Sequence, residues 1–179
     1  MHCPVCKTVS LVNNTLEKNL QTMKCESCEG QWIKSFQYWK WLERHGALCL
    51  EKPEGEMAKL SVIESHEAKI CPECAHLMTR RKVGHGIGFH IERCETCGGI
   101  WLDKNEWEIL KSRNLHDEIH LMFGAVWQEQ VRQDEFDDGI EQEFKDIFGK
   151  EDYAKLEEFK DWMDKHPKKS SILCFLNNL

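Results

Sequence analysis

The sequence predicts a small α+β fold with two β-hairpins, each followed by a short helix, and a helical region after the second helix. Three observations support this fold. The 179-residue chain contains a repeated set of Cys-x-x-Cys pairs, pairs of candidate strands joined by turn residues, and apolar residues at helical spacing from Leu115 onward. With 41% hydrophobic and 31% charged residues, the composition is that of a folded, soluble chain. The longest apolar run, residues 121–127, is far shorter than the ~20 residues that span a bilayer, so we expect no membrane segment.

The cysteines reveal an internal duplication. Eight of the ten cysteines lie in four Cys-x-x-Cys pairs, with 18 residues between the first two pairs and 19 between the last two. The flanking residues repeat as well: Cys3-Pro4-Val5-Cys6 is similar to Cys71-Pro72-Glu73-Cys74, and Gly30-Gln31-Trp32 to Gly99-Ile100-Trp101. The chain therefore consists of two copies of one unit, followed by a region of a different kind.

The spacing of the cysteines is typical of zinc sites. Two thiolates on one tight turn bind the same ion, and two such turns complete a closed tetrahedral site. The predicted ligands are Cys3, Cys6, Cys25 and Cys28 for one ion, and Cys71, Cys74, Cys94 and Cys97 for the other. Four thiolates leave no position for water, so both ions are predicted to be structural. Zinc is the usual metal of such sites, although four sulfurs are also compatible with iron, and the spacing leaves open whether ligands come from one repeat or both.

The residues around the ligand pairs are suited to tight turns. Pro4 and Pro72 fix φ inside the first turn of each site. Gly30 and Gly99 follow the second turn, where we expect them to adopt a left-handed backbone.

The second repeat resembles the transcription factor IIB-type zinc ribbon family. The resemblance is carried by Cys-Pro-x-Cys at Cys71 and by the run from Cys94 to Asp103, which reads Cys-Glu-Thr-Cys-Gly-Gly-Ile-Trp-Leu-Asp and is followed by Glu106. The first repeat departs from this pattern at Glu29 and Lys34, where the family has Gly and Asp, but keeps all four ligands. The resemblance covers residues 1–46 and 67–113 and implies two metal-bound ribbons. Related ribbons contact nucleic acids or polymerases, which is an analogy of fold rather than a demonstration of function.

The first repeat is predicted to form a hairpin and an aromatic helix. The hairpin turns at Asn13-Asn14 or at Lys18-Asn19. Ser35 is predicted to cap the helix, which ends near Gly46 and carries a stripe of Phe36, Trp39 and Leu42. Tyr38 and Trp41 lie off this stripe. We expect the excess of aromatic side chains to pack against the other ribbon; a free ligand platform is the alternative.

The second repeat follows a polar linker and is predicted in the same way. Pro53 and Gly55 indicate the linker, in which Leu60, Val62 and Ile63 are candidates for a strand. Residues 78–83 and 88–93 are predicted strands joined by a glycine-rich turn at 84–87. Asp103 is predicted to cap the next helix, with Glu106 reaching back to it and with Trp107 and Leu110 on the buried face.

The last third of the chain is acidic and helical. Residues 115–179 carry 16 acidic and 8 basic side chains. Three apolar stripes predict three helices, interrupted at Gly139 and Gly149, and a short apolar tail follows Pro167. The stripes are Leu115, Ile119, Met122, Val126 and Trp127; Phe136, Ile140, Phe144 and Ile147; and Tyr153, Leu156, Phe159 and Met163. A helical core docked on the ribbons is favoured over a detachable arm that binds a partner.

The predicted domains are therefore a first zinc ribbon with its helix (1–48), a linker (49–66), a second ribbon with its helix (67–114), and the acidic helical region (115–179). The chain enters its first motif directly at Cys3, so we expect no secretory leader. In a reducing, cytoplasmic location, many cysteines indicate metal binding rather than disulfides.

Two further groups of residues are interpreted as structural. His116 and His120 are four apart, loosely as in His-Glu-x-x-His metalloproteases, but Asp117 occupies the position of the catalytic Glu and no third ligand follows at a recognisable spacing. Two surface histidines are therefore favoured over a hydrolase site. No His or basic cluster that would lower a thiol pKa is recognised near Cys49 or Cys174, so both are interpreted as buried, inert thiols.

One basic cluster lies on the second hairpin. It comprises Arg80, Arg81, Lys82, His85, His90 and Arg93, with Phe89 among them. Positive side chains around an aromatic ring suit a phosphate backbone or an unstacked base, whereas a solvated hairpin is the simpler interpretation. The net charge of −7 opposes nucleic-acid binding.

The sequence thus predicts a non-enzymatic zinc-binding adaptor that contacts a protein or nucleoprotein partner. Nucleic-acid binding is the first alternative, and a metal-dependent hydrolase using His116 and His120 is the second.

Overall fold

The structure is a computed structural model that describes residues 1–45, 61–62 and 64–177. Within this part of the chain there are six strands and six helices. The chain divides into two compact units, Met1–Val131 and Arg132–Leu179. Among the described helices, none combines the length and the apolar character needed to cross a bilayer. Of the predicted linker strand, Leu60 and Ile63 lie outside the described residues, whereas Val62 packs against the core.

Both predicted hairpins are present. Strands β1 (Val12–Glu17) and β2 (Leu20–Lys24) are antiparallel. They turn at Lys18-Asn19, the second of the two predicted positions, and Asn19 has a φ of 70°. In the other repeat, β4 (Thr79–Gly84) and β5 (Ile87–Arg93) form the second hairpin around the turn predicted from its glycines.

A third strand in each repeat, which the sequence analysis did not predict, joins the two hairpins. These strands are β3 (Gln31–Ile33) and β6 (Ile100–Leu102), and they pair antiparallel, with Trp32 opposite Trp101. The strand order is β1-β2-β3-β6-β5-β4, so one sheet runs through both repeats. The two ribbons are therefore halves of a single structure rather than two independent modules.

The sheet separates two apolar clusters, because alternate side chains of a strand point to opposite faces. Trp32 and Trp101 form one cluster with Leu11, Met78 and the metal-site cysteines. Ile33, Ile100 and Leu102 face the other way and join the helices in the larger cluster. Both metal sites consequently lie on one side of the sheet and both ribbon helices on the other.

The first helix buries a different face from the one predicted. Helix α1 (Ser35–His45) has Tyr38 and Trp41 fully buried, whereas Phe36 and Trp39 are 60% and 47% exposed. Because Phe36 and Trp39 recur at the same helical spacing as Tyr38 and Trp41, periodicity did not distinguish the two stripes. The expected packing against the other ribbon is present, since the ring of Trp41 lies 5.5 Å from that of Trp107.

The second helix, α2 (Glu106–Ser112), buries Trp107 and Leu110 as predicted. Only half of the predicted capping box forms. Glu106 Oε2 accepts the N–H of Asp103 at 2.8 Å, but no side-chain cap bond is made at the start of the helix. The Asp103 carboxylate instead pairs with the buried ammonium group of Lys69 at 3.3 Å.

The beginning of the helical region docks on the second hairpin. Helix α3 (Ile119–Met122) buries Ile119 and Met122. In the first turns of α4 (Ala125–Phe148), the indole N–H of Trp127 donates to the carbonyl of Val83 at 2.8 Å, and Gln128 donates to that of Lys82 at 2.9 Å. Gly139 does not interrupt α4, contrary to prediction, because a single glycine inside a helix costs only about 1 kcal/mol relative to alanine.

The second unit consists of the rest of α4, α5 (Lys150–Lys165) and α6 (Lys169–Leu176). The predicted apolar tail is thus helical. No residue of α5 or α6 is buried, and the last buried residue of α4 is Val131. The side chains of the later stripes, which were predicted to form a helical core, are largely exposed; Phe136 and Ile147 are each 63% exposed.

Candidate metal centres

Each Cys-x-x-Cys pair lies on a tight turn closed by its own backbone. The N–H of Lys7 donates to the carbonyl of Cys3 at 2.8 Å, and the N–H of Gly98 to that of Cys94 at 2.7 Å. The residue that follows each pair has a left-handed backbone; these residues are Lys7, Glu29, Ala75 and Gly98. This turn reverses the chain immediately after the second cysteine, so the two thiols of a pair remain side by side.

The turns bring the eight predicted ligands into two groups of four sulfurs. Within each group all sulfurs lie within 4.8 Å of one another. The Cys3–Cys28 and Cys71–Cys97 sulfur distances are 3.6 Å, and the Cys74–Cys94 distance is 3.4 Å. Four sulfurs at about 2.3 Å from a central ion are separated by about 3.8 Å, whereas a disulfide requires about 2.05 Å. The groups therefore fit two structural zinc ions, and each takes its ligands from one repeat.

Without a metal ion, burial raises the pKa of several of the ligand thiols, so the four sulfurs of a site are not all ionised by their surroundings alone. Burial opposes ionisation of the Cys94 thiol, but the N–H groups of Cys97 and Thr96 and the Cys74 thiol lower its pKa to about 7. Burial raises the pKa of the Cys3 thiol to about 11. Four adjacent thiolates repel one another, and a divalent cation supplies the charge that stabilises them.

Gly30 and Gly99, which follow the second ligand pair of each repeat, have a different role from the one predicted. The left-handed positions are Glu29 and Gly98, one residue earlier. A Cβ at Gly30 would lie 2.2 Å from the indole of Trp101, and a Cβ at Gly99 would lie 2.1 Å from that of Trp32. Each ribbon's tryptophan therefore packs on the backbone of the other ribbon's glycine, which we call the reciprocal Trp–Gly contact.

We expect Gly99→Ala to lower the free energy of unfolding by about 1–3 kcal/mol, because the added methyl group must displace the buried indole of Trp32. Gly88→Ala is the matched control, since a Cβ at Gly88 would meet no atom within 4 Å. Urea unfolding of the zinc-loaded proteins provides the measurement. Equal stability of the two variants would contradict the reciprocal contact.

Glu29, which stands where the family has Gly, also connects the two ribbons. Its carboxylate accepts a hydrogen bond from the ammonium group of Lys104, at the start of the other repeat's helix. This contact with Lys104 lowers the pKa of Glu29. Helix α1 begins at Ser35 although Lys34 replaces the family's Asp. The carbonyl of Lys34 accepts the N–H of Tyr38 at 3.1 Å and so makes the first hydrogen bond of the helix.

A buried charge cluster, which the sequence analysis missed, lies beside the second metal site. Lys69 is fully buried, and its Nζ lies 2.5 Å from Glu92 Oε1, 3.3 Å from Asp103 Oδ2 and 2.9 Å from the carbonyl of Ser65. Asp103 also accepts the indole N–H of Trp101 at 2.7 Å. Lys69 and Glu92 are far apart in the sequence, so no local motif marks this pair.

Glu106 adds an acidic group to this cluster. It is fully buried, and burial together with the neighbouring Asp103 carboxylate raises its pKa well above the ordinary 4.5. The folded protein therefore holds a proton that the unfolded chain releases, and stability falls as the pH rises from about 4.5 through the raised pKa.

We expect Glu106→Gln to remove the loss of stability that Glu106 causes as the pH rises, because glutamine is isosteric with glutamate and cannot ionise. The variant should differ least from the native protein below about pH 4.5 and exceed its stability at pH 8, by about 1.4 kcal/mol for each unit of the native pKa shift. The measurement is the difference in urea unfolding between the two proteins at each pH, in which the pH dependence of zinc binding cancels. A difference that does not change with pH would contradict the assignment.

The residues of the predicted basic cluster do not form one exposed surface. Phe89 is buried in the core. Arg80 lies 2.5 Å from Glu64, and Arg93 lies over the ring of Phe123 and 3.6 Å from Glu95. Burial opposes ionisation of Glu64, but Arg80 and the N–H of His90 lower its pKa.

The other members of the cluster remain nearer the surface. Arg81 and His85 are exposed, and the His85 ring lies 4.7 Å from that of Trp127. Lys82 is half-buried and has an interaction partner.

The prediction of two surface histidines is wrong for His116, which is buried with its ring 5.5 Å from those of Trp41 and Trp107. His120 is half-buried against Trp39. Among the described residues, the only groups of three or more candidate ligands are the two cysteine groups. Cys174 is exposed rather than buried, because α6 buries none of its side chains. Cys49 lies outside the described residues.

Comparison with known proteins agrees with this geometry. A family model described as "Transcription factor zinc-finger" matches residues 2–44 and 70–113, which are the two ribbons with their helices. No curated protein and no solved structure is similar enough to the chain to count as a match.

Proposed function

Since the two ribbons of this chain, residues 2–44 and 70–113, belong to the transcription factor zinc-finger family, we propose that the protein is a non-enzymatic zinc-binding adaptor in the cytoplasm. In this proposal the zinc ions hold the ribbons in shape, and surfaces on the ribbons and acidic helices contact a protein or nucleoprotein partner. Sites of four thiolates support a structural rather than a catalytic role, because the coordination sphere is complete without water or substrate.

The observation that carries the proposal is the large number of exposed apolar side chains on the helices after Val131. They include Phe136, Ile140, Phe144, Ile147, Phe148, Leu156, Phe159, Trp162, Leu173, Phe175 and Leu176. Single exposed apolar residues are normal, but extended apolar surfaces on soluble proteins usually mark interaction sites. A helix with one apolar face binds partners by inserting that face into a complementary surface.

Capture experiments with the full, zinc-loaded chain test the proposal. We expect a partner to be retained from extracts of the cell that makes the protein, and to bind again as a purified component. Phe136→Ser/Ile147→Ser should weaken its retention, whereas Gln133→Ala, an exposed change on the same helix, should not. Failure of the full chain to retain any specific protein would remove the adaptor function.

Metal content separates the adaptor from the hydrolase alternative. We expect two zinc ions per chain, unchanged by His120→Ala. A third ion that is lost in this variant, together with loss of a hydrolytic activity, would favour an enzyme.

Nucleic-acid binding is the second candidate function, and an exposed face of α1 favours it. Phe36 and Trp39 are exposed there beside the exposed Lys40, and aromatic rings next to cations stack unpaired bases and contact phosphates. On the second hairpin, Arg81 and His85 remain exposed.

Anisotropy of a labelled single-stranded oligonucleotide, measured as the salt concentration is raised, tests this candidate. Loss of binding in Trp39→Ala/Lys40→Ala would place the contact on α1, and loss in Arg80→Ala/Arg81→Ala/Lys82→Ala would place it on the hairpin. The absence of binding at low salt would exclude both surfaces.

A further inference from the structure

The second unit contains an open groove formed by the end of α4 and the first half of α5. It has a volume of about 680 Å³. Its lining residues are Phe144, Phe148, Tyr153, Ala154, Leu156, Glu157, Glu158, Lys160 and Asp161. The groove is therefore large enough for a few side chains of a bound segment, and it lies wholly within one compact unit.

The aromatic side chains that line the groove make defined contacts. The rings of Phe144 and Phe148 stack at 5.8 Å with an interplanar angle of 10°. Lys145 lies over the ring of Tyr153 at 5.2 Å, and its ammonium group is hydrogen bonded to Glu141. Leu156 completes this surface and is 47% exposed. These apolar groups remain open to solvent, although burying them would be favourable.

The charged part of the groove is acidic. Glu157, Glu158 and Asp161 contribute three carboxylates, against the ammonium groups of Lys160 and of Lys145, the latter already paired with Glu141. Residues 132–179 as a whole carry 13 acidic and 8 basic side chains. Potentials of opposite sign across an interface favour association, and like charges oppose it. A second copy of this chain would bring the same carboxylates together, whereas a basic segment would neutralise them.

We propose that this groove binds a basic amphipathic helix of a protein partner. The apolar side chains of that helix contact Phe144, Phe148 and Leu156, and its Lys or Arg side chains pair with the three carboxylates. This is the helix-in-groove mode of recognition, with charge selecting the partner. The inference rests on the proposed adaptor function and specifies the chemical class of the partner.

Calorimetry with the full, zinc-loaded chain tests the proposal. The probe is a synthetic helical peptide of Leu and Lys with its leucines on one face, and the control is a peptide in which Glu replaces every Lys. We expect the Leu/Lys peptide to bind, with an affinity that falls as salt is raised, and the Leu/Glu peptide not to bind.

Three variants locate the binding site. Phe144→Ala/Leu156→Ala should weaken binding about tenfold or more, since both side chains form the apolar contact. Glu157→Lys/Glu158→Lys/Asp161→Lys should weaken it and reduce its salt dependence. Gln133→Ala, on α4 outside the groove, should leave the affinity unchanged. The substituted side chains are not buried, so circular dichroism and two zinc ions per chain should be retained.

Three results would overturn the proposal: no binding of the Leu/Lys peptide at low salt, equal binding of both peptides, or native affinity in the groove variants. A dimer in sedimentation that dissociates in Phe144→Ala/Leu156→Ala would instead assign the groove to a second copy. If the native chain retains a partner and the charge-reversed variant retains it equally well, the groove assignment fails while the adaptor function stands. If no partner is retained at all, the adaptor function fails.

Discussion

Cys97→Ser is expected to lose the second zinc ion and to destabilise the sheet of both ribbons, not only its own. The remaining three thiolates of the second site leave one coordination position to water, so the ion is held more weakly than by four thiolates. Structural zinc contributes about 10–16 kcal/mol in small domains, which is as large as the whole stability of a typical protein. Because β3 pairs with β6 and the two tryptophans face each other in that pair, collapse of the second ribbon exposes the core of the first.

Elemental analysis and amide hydrogen exchange measure the two parts of this expectation. Cys174→Ser is the control, because Cys174 is an exposed residue of α6 and should leave both ions in place. Removal of zinc from the native protein by a strong chelator should reproduce the loss of protection in both hairpins. Native protection of β1 and β2 in Cys97→Ser would show that the ribbons are energetically independent. A metal-free protein with intact structure and protected thiols would contradict the structural role of the ions.

Lys69→Met is expected to destabilise the ribbon unit by about 3–5 kcal/mol, the usual cost of removing one partner from a buried ion pair. The substitution removes the ammonium partner of the buried carboxylates of Glu92 and Asp103. Burial already raises the pKa of Glu92 to about 7, even though Lys69 acts to lower it. Without Lys69 this pKa should rise further.

The cost of Lys69→Met should therefore depend on pH. Near pH 5 the carboxyl group of Glu92 is protonated in both proteins, so the difference in stability should be smaller than at pH 8, where the native protein keeps a paired carboxylate. Lys7→Met is the matched control, because the Lys7–Glu67 pair is exposed on both sides and should contribute little to stability. Urea unfolding at both pH values provides the measurement. Equal effects of the two substitutions would mean that water reaches the Lys69 cluster.

The metal sites were predictable from the sequence because their signal is local. A pair such as Cys94 and Cys97 fixes the chemistry of a turn by its spacing, and the repeat of the pairs identifies complete sites. The turns between strands were predictable for the same reason. Strands β3 and β6 were not, because three residues are too few to show an alternating pattern and their pairing joins distant parts of the chain.

The remaining errors arose where one pattern fits two structures. The stripes on α1 have the same period, and it is contacts with other parts of the chain, such as Trp107 and His116, that bury Trp41 rather than Trp39. The apolar stripes on α4 and α5 were read as a docked core, but periodicity shows only that a helix has an apolar face, not what covers it. Gly30 and Gly99 were assigned to turns because glycine is common there, whereas the contact that requires them comes from the other repeat.

The strand order gives the Arg80-Arg81-Lys82 run a role that does not involve phosphate. In β1-β2-β3-β6-β5-β4, the inner edges of the two ribbons cover each other, and β4 is left as an outer edge strand. Exposed edges invite pairing with other chains, and natural proteins block them with charged side chains or with a covering helix. Here Trp127 and Gln128 occupy the carbonyls of Val83 and Lys82, while the cations lie along the same strand. We therefore expect the basic run to oppose pairing of this edge with the strands of other chains.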